Sequence, residues 1–226
     1  MTTSTGTTLS GHRAEAKSGT TKSLVILLHG YGADGADLFG LAGPLSEYLP
    51  DTVFRAPNAP EPNGMNPGGF QWFPIPWLDG STDEQRDTSM KRSIGILDTY
   101  LTETMAEEGV SPAETALIGF SQGTMMSLYV APRRDEPLAC VVGFSGRLID
   151  DRLAEETKVR PPVLLVHGDQ DPMIPVADMS TAETALRAAG FDVSSHISRG
   201  VGHGIAPDGL TLALQFLMTH LGAEQG

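Results

Sequence analysis

The residue types needed for nucleophilic hydrolysis occur in this chain in a chemically meaningful order: Ser121, then an aspartate, then His203. Ser121 is the centre of a G-x-S-x-G pattern at residues 119–123, which follows an apolar run at residues 116–118. A serine hydroxyl becomes a nucleophile when a sharp strand-to-helix turn exposes it beside a base and backbone N–H donors. The pattern therefore predicts that Ser121 is a nucleophile.

Two aspartates are candidates for the acid that would orient the base. Asp169 and Asp171 both follow the apolar run at residues 162–166, and an acid between the serine and the histidine fits the order used by hydrolases of this architecture. Asp171 lies further into the loop and precedes Pro172, which would fix the local backbone. These residues favour Asp171, but Asp169 stays open, with a turn residue as its simpler interpretation.

The loop around His203 distinguishes it from the other five histidines. Glycines flank it on both sides, and a predicted helix follows. His29 and His167 follow predicted strands directly, where hydrogen bonding to loop backbone is the simpler explanation. In the predicted mechanism His203 takes the proton of Ser121, and the aspartate holds the imidazole in the required tautomer.

The negative charge that develops on an attacked acyl oxygen requires two hydrogen-bond donors. The backbone N–H of Gln122 follows the nucleophile directly and lies at a predicted helix start, where the helix dipole helps. A second donor is expected from the Gly-rich loop at residues 29–32.

The elements that must position these residues alternate between short apolar runs and longer amphipathic segments. This alternation predicts an α/β fold with a mostly parallel, doubly wound sheet and helices on both faces. Ligands of such sheets bind beyond the carboxyl ends of the strands, where the candidate residues lie. Predicted strands cover residues 24–28, 52–56, 138–144, 162–166 and 192–197, with a further strand before the turn at Ser121. Predicted helices cover residues 37–49, 122–130 and 177–189, with a long helix that begins near Asp83 or Asp87 and ends at about residue 108, and a last helix from about residue 207.

Length and composition predict one domain and exclude several function classes. We expect a flexible N-terminal tail at residues 1–20, with room for one edge strand, and a single α/β domain at residues 21–226. Asp and Glu number 28 against 15 Lys and Arg, a net charge of -13 that argues against nucleic acid and anionic membranes as partners. No apolar run is long enough to span a membrane, and no signal peptide is recognisable, so the predicted location is cytoplasmic.

Motifs for cofactors are absent from the sequence. No H-E-x-x-H or paired Cys/His pattern predicts a metal, and no Gly-rich phosphate-binding motif predicts a nucleotide, so the expected cofactor is none. The single cysteine, Cys140, lies in an apolar run and is expected in the core. The sequence is compatible with a homodimer.

Several blocks together resemble the phospholipase/carboxylesterase family of α/β-hydrolases, which includes acyl-protein thioesterases and small bacterial carboxylesterases. The resemblance implies the α/β-hydrolase fold, the triad Ser121, Asp171 and His203, and the backbone N–H groups of Tyr31 and Gln122 as the oxyanion donors. The blocks are residues 28–35, 56–60, 119–123, 167–171 and 202–203.

The Pro- and Gly-rich segment at residues 57–80 is expected to cover a substrate pocket. Trp72 and Phe73 resemble the aromatic pair at the family's pocket wall, and Met125 and Met173 are further candidates for the lining. The chain departs from the family at Tyr31, where leucine is frequent, and after Gly123, where a second glycine is frequent.

The function predicted from these residues is hydrolysis of short- to medium-chain acyl esters, small-molecule substrates, by a serine carboxylesterase. A lysophospholipase or an acyl-protein thioesterase acting on long acyl chains is the alternative within the same chemistry. A non-catalytic binding protein on a hydrolase scaffold is the alternative from another class.

Overall fold

A computed structural model describes residues 9–149 and 152–222. The strands are β1 (Gly11–Ala14), β2 (Ser23–Leu28), β3 (Thr52–Pro57), β4 (Glu61–Pro62), β5 (Phe70–Gln71), β6 (Thr115–Phe120), β7 (Cys140–Phe144), β8 (Val163–Gly168) and β9 (Val193–Ser198). The α-helices are α1 (Gly35–Phe39), α2 (Ala42–Ser46), α3 (Pro76–Asp79), α4 (Asp83–Glu108), α5 (Gln122–Val130), α6 (Leu153–Glu156), α7 (Val176–Ala188) and α8 (Pro207–His220). Strands and helices alternate along most of the chain, as the apolar periodicity predicts.

Seven strands form the central sheet in the order β1-β3-β2-β6-β7-β8-β9. All neighbouring pairs are parallel except β1 with β3, which is antiparallel at one edge. The predicted mostly parallel sheet is therefore confirmed. Strands β4 and β5 form a separate antiparallel pair inside the segment between β3 and α4.

Helices cover both faces of the sheet, which explains why its central strands are continuous apolar runs. In β2, Leu24, Ile26 and Leu28 pack in a core that includes side chains of α4, α5 and α7. Val25 and Leu27 point to the opposite face and pack with side chains of α1, α2 and α8. The sheet is thus doubly wound, as predicted.

The prediction of one continuous helix at residues 37–49 is wrong. The structure has two five-residue helices, α1 and α2, separated at residues 40–41. Pro44 lacks the N–H that a continuous helix would bond to the carbonyl of Gly40, and its ring would collide with that carbonyl. Proline is tolerated in a first helical turn, so the chain starts a second helix at Ala42.

The predicted tail at residues 1–20 divides into two parts. Residues 1–8 lie outside the described residues, whereas β1 is an edge strand whose Gly11 is in register with Pro57. The carboxylate of Glu108, at the end of α4, accepts hydrogen bonds from Arg13 Nε at 2.8 Å and from Arg55 Nε at 2.7 Å. Its side chain is 4% exposed, so this charged cluster fastens β1 and β3 to α4.

In the part of the chain that the structure describes, no helix combines the length and apolar character needed to cross a bilayer.

Candidate active site

The turn between β6 and α5 holds Ser121 in a strained backbone conformation, with φ 54° and ψ −114°. Such angles are rare for a residue with a Cβ and persist only where the surrounding structure imposes them. A Cβ on Gly123 would lie 1.8 Å from the carbonyl oxygen of Leu28, and one on Gly119 would lie 2.4 Å from the amide nitrogen of Thr124. The flanking glycines are therefore required by the close approach of α5 to the strands.

Thr124 stabilises the same turn from inside. Its hydroxyl lies 2.8 Å from the carbonyl oxygens of Gly119 and Phe144, and can donate to either. Its side chain occupies the space beside Gly143 and Gly146, where an added Cβ would come within 2.6 Å and 2.4 Å of it. Thr124 therefore fits at this position because residues 143 and 146 are glycines.

Asp171 and His203 are brought together from the loops that follow β8 and β9. The Nδ1 of His203 lies 2.7 Å from Oδ2 of Asp171. Oδ1 of Asp171 accepts backbone hydrogen bonds from Met173 at 2.8 Å and Ile174 at 2.9 Å. Burial opposes ionisation of this carboxylate, but these backbone donors and His203 outweigh burial, and the pKa of Asp171 is lowered.

Ser121 and His203 both line a cavity of about 420 Å³ beyond the carboxyl ends of the strands. The ring of Phe120 packs against the imidazole of His203, with ring centroids 4.9 Å apart. Most of the remaining lining is apolar, and two cationic side chains, Arg86 and Arg147, also reach it. The sequence did not single out these arginines, because their proximity depends on how α4 and the loop after β7 pack.

The backbone N–H groups of Tyr31 and Gln122 lie on two segments that border this cavity. Neither donates a hydrogen bond to another part of the described chain, whereas the next amide after Tyr31, that of Gly32, bonds to Phe70 O at 2.8 Å. Unpaired backbone donors at a cavity wall are available to an anionic oxygen. The Gln122 N–H also lies at the first position of α5, where the helix dipole favours negative charge.

The side chain of Gln122 has a second role that the sequence did not reveal. Its Oε1 accepts the Trp72 backbone N–H at 3.2 Å, and its Nε2 donates to the Phe73 carbonyl at 2.8 Å. The buried amide therefore connects the Ser121 turn to the segment that follows β5. No local pattern predicts this contact, because the partners are 49 and 50 residues apart in sequence.

Of the four expected pocket residues, Phe73, Met125 and Met173 line the cavity, and Trp72 does not. Trp72 is 0% exposed and lies in the core, where its indole N–H donates to His29 O at 3.0 Å. The large ring finds both apolar burial and a polar partner there. The expectation that Trp72 forms the pocket wall is thus corrected: it supports the wall from behind.

Helix α3 and the residues before it form one wall of the cavity. The phenol of Tyr31 donates to Asp79 Oδ2 at 3.0 Å, and the same oxygen accepts the Ile75 N–H at 2.7 Å. Trp77, on this helix, is 70% exposed and borders the cavity. Tyr31, where the family often has leucine, thus connects the loop after β2 to this wall of the cavity through the hydrogen bond to Asp79.

The other candidate polar residues have structural partners. His29 accepts the Ala59 N–H at Nε2, 2.9 Å away, so its Nδ1 carries the hydrogen toward Gly30 O; burial lowers its pKa. Asp169 accepts the Gly200 N–H at 2.7 Å and a hydrogen bond from Arg199 Nη1 at 3.4 Å, and it forms no hydrogen bond with His203 in the described residues. Burial raises the pKa of Cys140 to about 12, so this thiol is a poor nucleophile.

Within residues 9–149 and 152–222, no group of three or more His, Cys, Asp or Glu side chains is arranged to hold a metal ion.

The doubly wound sheet, the strained serine turn and the aspartate–histidine pair define an α/β-hydrolase. The chain belongs to the phospholipase/carboxylesterase family, which it matches over residues 10–221. The family expected from the sequence blocks is therefore confirmed, and with it the class of enzyme, a serine hydrolase.

Individual relatives point to the same class. The chain is 32% identical to esterase YpfH of Escherichia coli K12 over 204 residues, which span 88% of this chain and 82% of that protein. It is 30% identical to acyl-protein thioesterase 1 of Kluyveromyces lactis over 225 residues, 92% of this chain and 96% of that protein. The crystal structure of esterase PE8 has a TM-score of 0.89 and 45% identity, covering 95% of this chain and 100% of that chain.

Proposed function

We propose that the chain is a serine carboxylesterase that hydrolyses short- to medium-chain acyl esters through an acyl-enzyme on Ser121. The observation that carries the proposal is the Asp171–His203 contact of 2.7 Å beside a cavity that Ser121 also lines. The unpaired N–H groups of Tyr31 and Gln122 at the same cavity support it further.

In the proposed reaction, His203 donates its Nδ1–H to Asp171, which leaves Nε2 free to accept the hydroxyl proton of Ser121. Ser121 Oγ attacks the acyl carbonyl, and the two backbone N–H groups stabilise the tetrahedral oxyanion. His203 then protonates the leaving alcohol, and a water activated by the same imidazole hydrolyses the acyl-enzyme. Each oxyanion donor contributes about 3 kcal/mol to transition-state stabilisation in enzymes of this kind.

The preference for shorter acyl chains rests on the limited size of the cavity, about 420 Å³, and on its enclosing wall. Phe73, Ile75 and Met125 supply apolar surface for an acyl group. The Tyr31–Asp79 hydrogen bond holds the wall in place, so the space does not open freely along α3.

Hydrolysis of long-chain esters or thioesters is the second candidate. It is favoured by the similarity to proteins named acyl-protein thioesterase 1 and by apolar side chains at the cavity mouth. Trp77 is 70% exposed and Met173 is 50% exposed, and together they would extend the apolar surface for a chain leaving the cavity. A lysophospholipase would use the same surface.

Turnover of p-nitrophenyl esters from C2 to C16, measured beside a palmitoyl thioester, tests the proposal. We expect kcat/KM to be highest at C8 or shorter and to be lost in Ser121→Ala. A maximum at C12 or longer, or a preference for the thioester, would establish the second candidate. Absence of turnover on every ester by a folded protein would support the binding-protein alternative.

A further inference from the structure

His167 is a buried histidine that the reaction described above does not use. It is the penultimate residue of β8, and its side chain is 1% exposed. Its Nε2 lies 2.9 Å from the carbonyl oxygen of Ile174 and 3.2 Å from Oδ2 of Asp171. The second of these contacts goes beyond the backbone hydrogen bonding expected from the sequence.

The neighbours of His167 determine which ring nitrogen carries the hydrogen. A carbonyl oxygen can only accept, and so can an ionised carboxylate. Since both groups near Nε2 are acceptors, Nε2 must be the protonated nitrogen of the ring. Its N–H donates to Ile174 O at 2.9 Å, and Asp171 Oδ2 lies 3.2 Å from the same nitrogen.

The opposite nitrogen of His167 supports a specific role for this tautomer. Nδ1 is buried and has no hydrogen-bond partner in the described residues. A buried polar atom without a partner is unfavourable, and such exceptions require an explanation. An apolar side chain of similar size would avoid the cost, so the contribution of the imidazole lies at Nε2–H.

The carboxylate of Asp171 is 0% exposed, so its orientation depends on protein donors alone. Oδ1 is held by the two backbone amides of the following loop, and Oδ2 faces both His203 at 2.7 Å and His167 at 3.2 Å. His167 also holds the carbonyl of Ile174, whose own N–H donates to Asp171. One imidazole therefore holds the loop that carries the carboxylate and lies against the carboxylate itself.

We propose that His167 is a positioning residue for the hydrolytic reaction: its Nε2–H holds the carbonyl of Ile174 in the loop that carries Asp171, and its ring lies against the Asp171 carboxylate, which together align the acid with His203. The inference rests on the proposed function, since alignment matters only if His203 is the base. His167 does not touch substrate; it acts through Asp171. Its loss misaligns the base for proton transfer, whereas the acyl-pocket residues Phe73, Ile75 and Met125 lie on other segments, so it lowers kcat more than it raises KM.

Steady-state kinetics of two variants test this role. His167→Leu removes the donor, and we expect kcat to fall by about 10- to 100-fold, by analogy with the loss found when hydrogen-bond partners that orient metal-ligating side chains are removed. KM should change less than threefold. His167→Gln places an amide N–H near the position of Nε2 and should restore most of the lost kcat. Wild-type kinetics in His167→Leu, or equal losses in both variants, would overturn the proposal.

A matched control is available on the neighbouring strand. His196 makes a similar contact, with its Nε2 2.7 Å from Asp208 Oδ2, but it does not border the cavity. His196→Gln should leave kcat unchanged. Ser121→Ala separates the two hypotheses: residual activity there refutes the proposed function, whereas an inactive Ser121→Ala beside a fully active His167→Leu refutes only the role of His167.

A measurement on the wild-type protein keeps the proposal testable if His167→Leu fails to fold. Nitrogen-15 NMR of histidine-labelled protein distinguishes a protonated from an unprotonated ring nitrogen, and the His167 signals are identified by their loss in His167→Gln. We expect a hydrogen on Nε2 and none on Nδ1. A hydrogen on Nδ1 alone would contradict donation from Nε2 to the Ile174 carbonyl and overturn the proposal.

Discussion

Replacing Gln122 by methionine tests whether the buried amide holds the pocket wall to the serine turn. Methionine is close to glutamine in volume, so the change removes hydrogen bonds without opening a large cavity. Two backbone groups lose their partners, the Trp72 N–H and the Phe73 carbonyl, both in buried residues. A buried group left unpaired costs about 1–3 kcal/mol, so we expect a loss of about 2–6 kcal/mol in the free energy of unfolding.

Urea denaturation followed by far-UV circular dichroism measures this loss, and ester kinetics measure its effect on the pocket. The backbone N–H at position 122 survives the substitution, so KM should rise more than kcat falls. Gln215→Met, on the exposed face of α8, is the matched control. Its free energy of unfolding should lie within about 0.5 kcal/mol of the wild-type value. A Gln122→Met protein as stable as this control would refute the reasoning.

Three further substitutions probe the turn, the charged cluster and the acid. Gly146→Ala forces a Cβ to within 2.4 Å of Thr124 and should destabilise the protein by about 1–3 kcal/mol, measured by urea denaturation. Glu108→Gln should cost about 1–3 kcal/mol at pH 7, since the carboxylate accepts hydrogen bonds from the two arginines described above. Asp171→Asn should lower kcat by as much as about 10⁴-fold in the ester assay and leave the thermal midpoint close to that of the wild type, because it removes the acceptor that fixes the tautomer of the base.

The first two of these substitutions each have a check. A Cβ on Gly43, inside α2, would meet no described atom within 4 Å beyond its own helix backbone and chain neighbours, so Gly43→Ala should not destabilise the protein. Equal losses of stability at both glycines would contradict the packing argument. Hydrogen bonds from Arg13, opposed by burial, hold the pKa of Glu108 below its ordinary value of 4.5. A carboxylate with a lowered folded-state pKa stabilises above its unfolded pKa, and that stability is lost as the pH falls through the folded-state pKa. The free energy of unfolding of Glu108→Gln should therefore fall less steeply than that of the wild type as the pH drops below about 4.5. The same slope in both proteins would disprove the stabilising role of the Glu108 carboxylate.

The strand and helix pattern of this chain is largely predictable from local sequence. Each central strand is buried on both faces, so it appears in the sequence as a short continuous apolar run. Helices α4 and α5 begin and end close to the predicted positions, where Thr82 with Gln85 forms a capping box and Gly109 adopts φ 69°. The break between α1 and α2 was readable from Pro44, whose ring is incompatible with a continuous helix.

Long-range contacts account for what sequence patterns missed at the candidate site. In the sequence, Trp72 resembles a residue of the pocket wall because it stands next to Phe73. Its burial in the core, however, depends on contacts with His29 and Gln122, which are distant in sequence. In the sequence, His167 is an ordinary histidine at the end of a predicted strand. Its proximity to Ile174 and Asp171 arises only in the folded chain, from the course of the loop after β8. His203 of the proposed triad was readable from its Gly-flanked loop and its place in the chain order, whereas the choice of Asp171 over Asp169 came from the family resemblance.

Covalent labelling with a fluorophosphonate, followed by mass spectrometry of the intact protein and its peptides, tests whether Ser121 is the nucleophile. We expect one adduct per chain, located on Ser121, with esterase activity lost in proportion to labelling and no adduct in Ser121→Ala. Inactivation with the adduct on another residue, or full activity in protein completely labelled at Ser121, would contradict it.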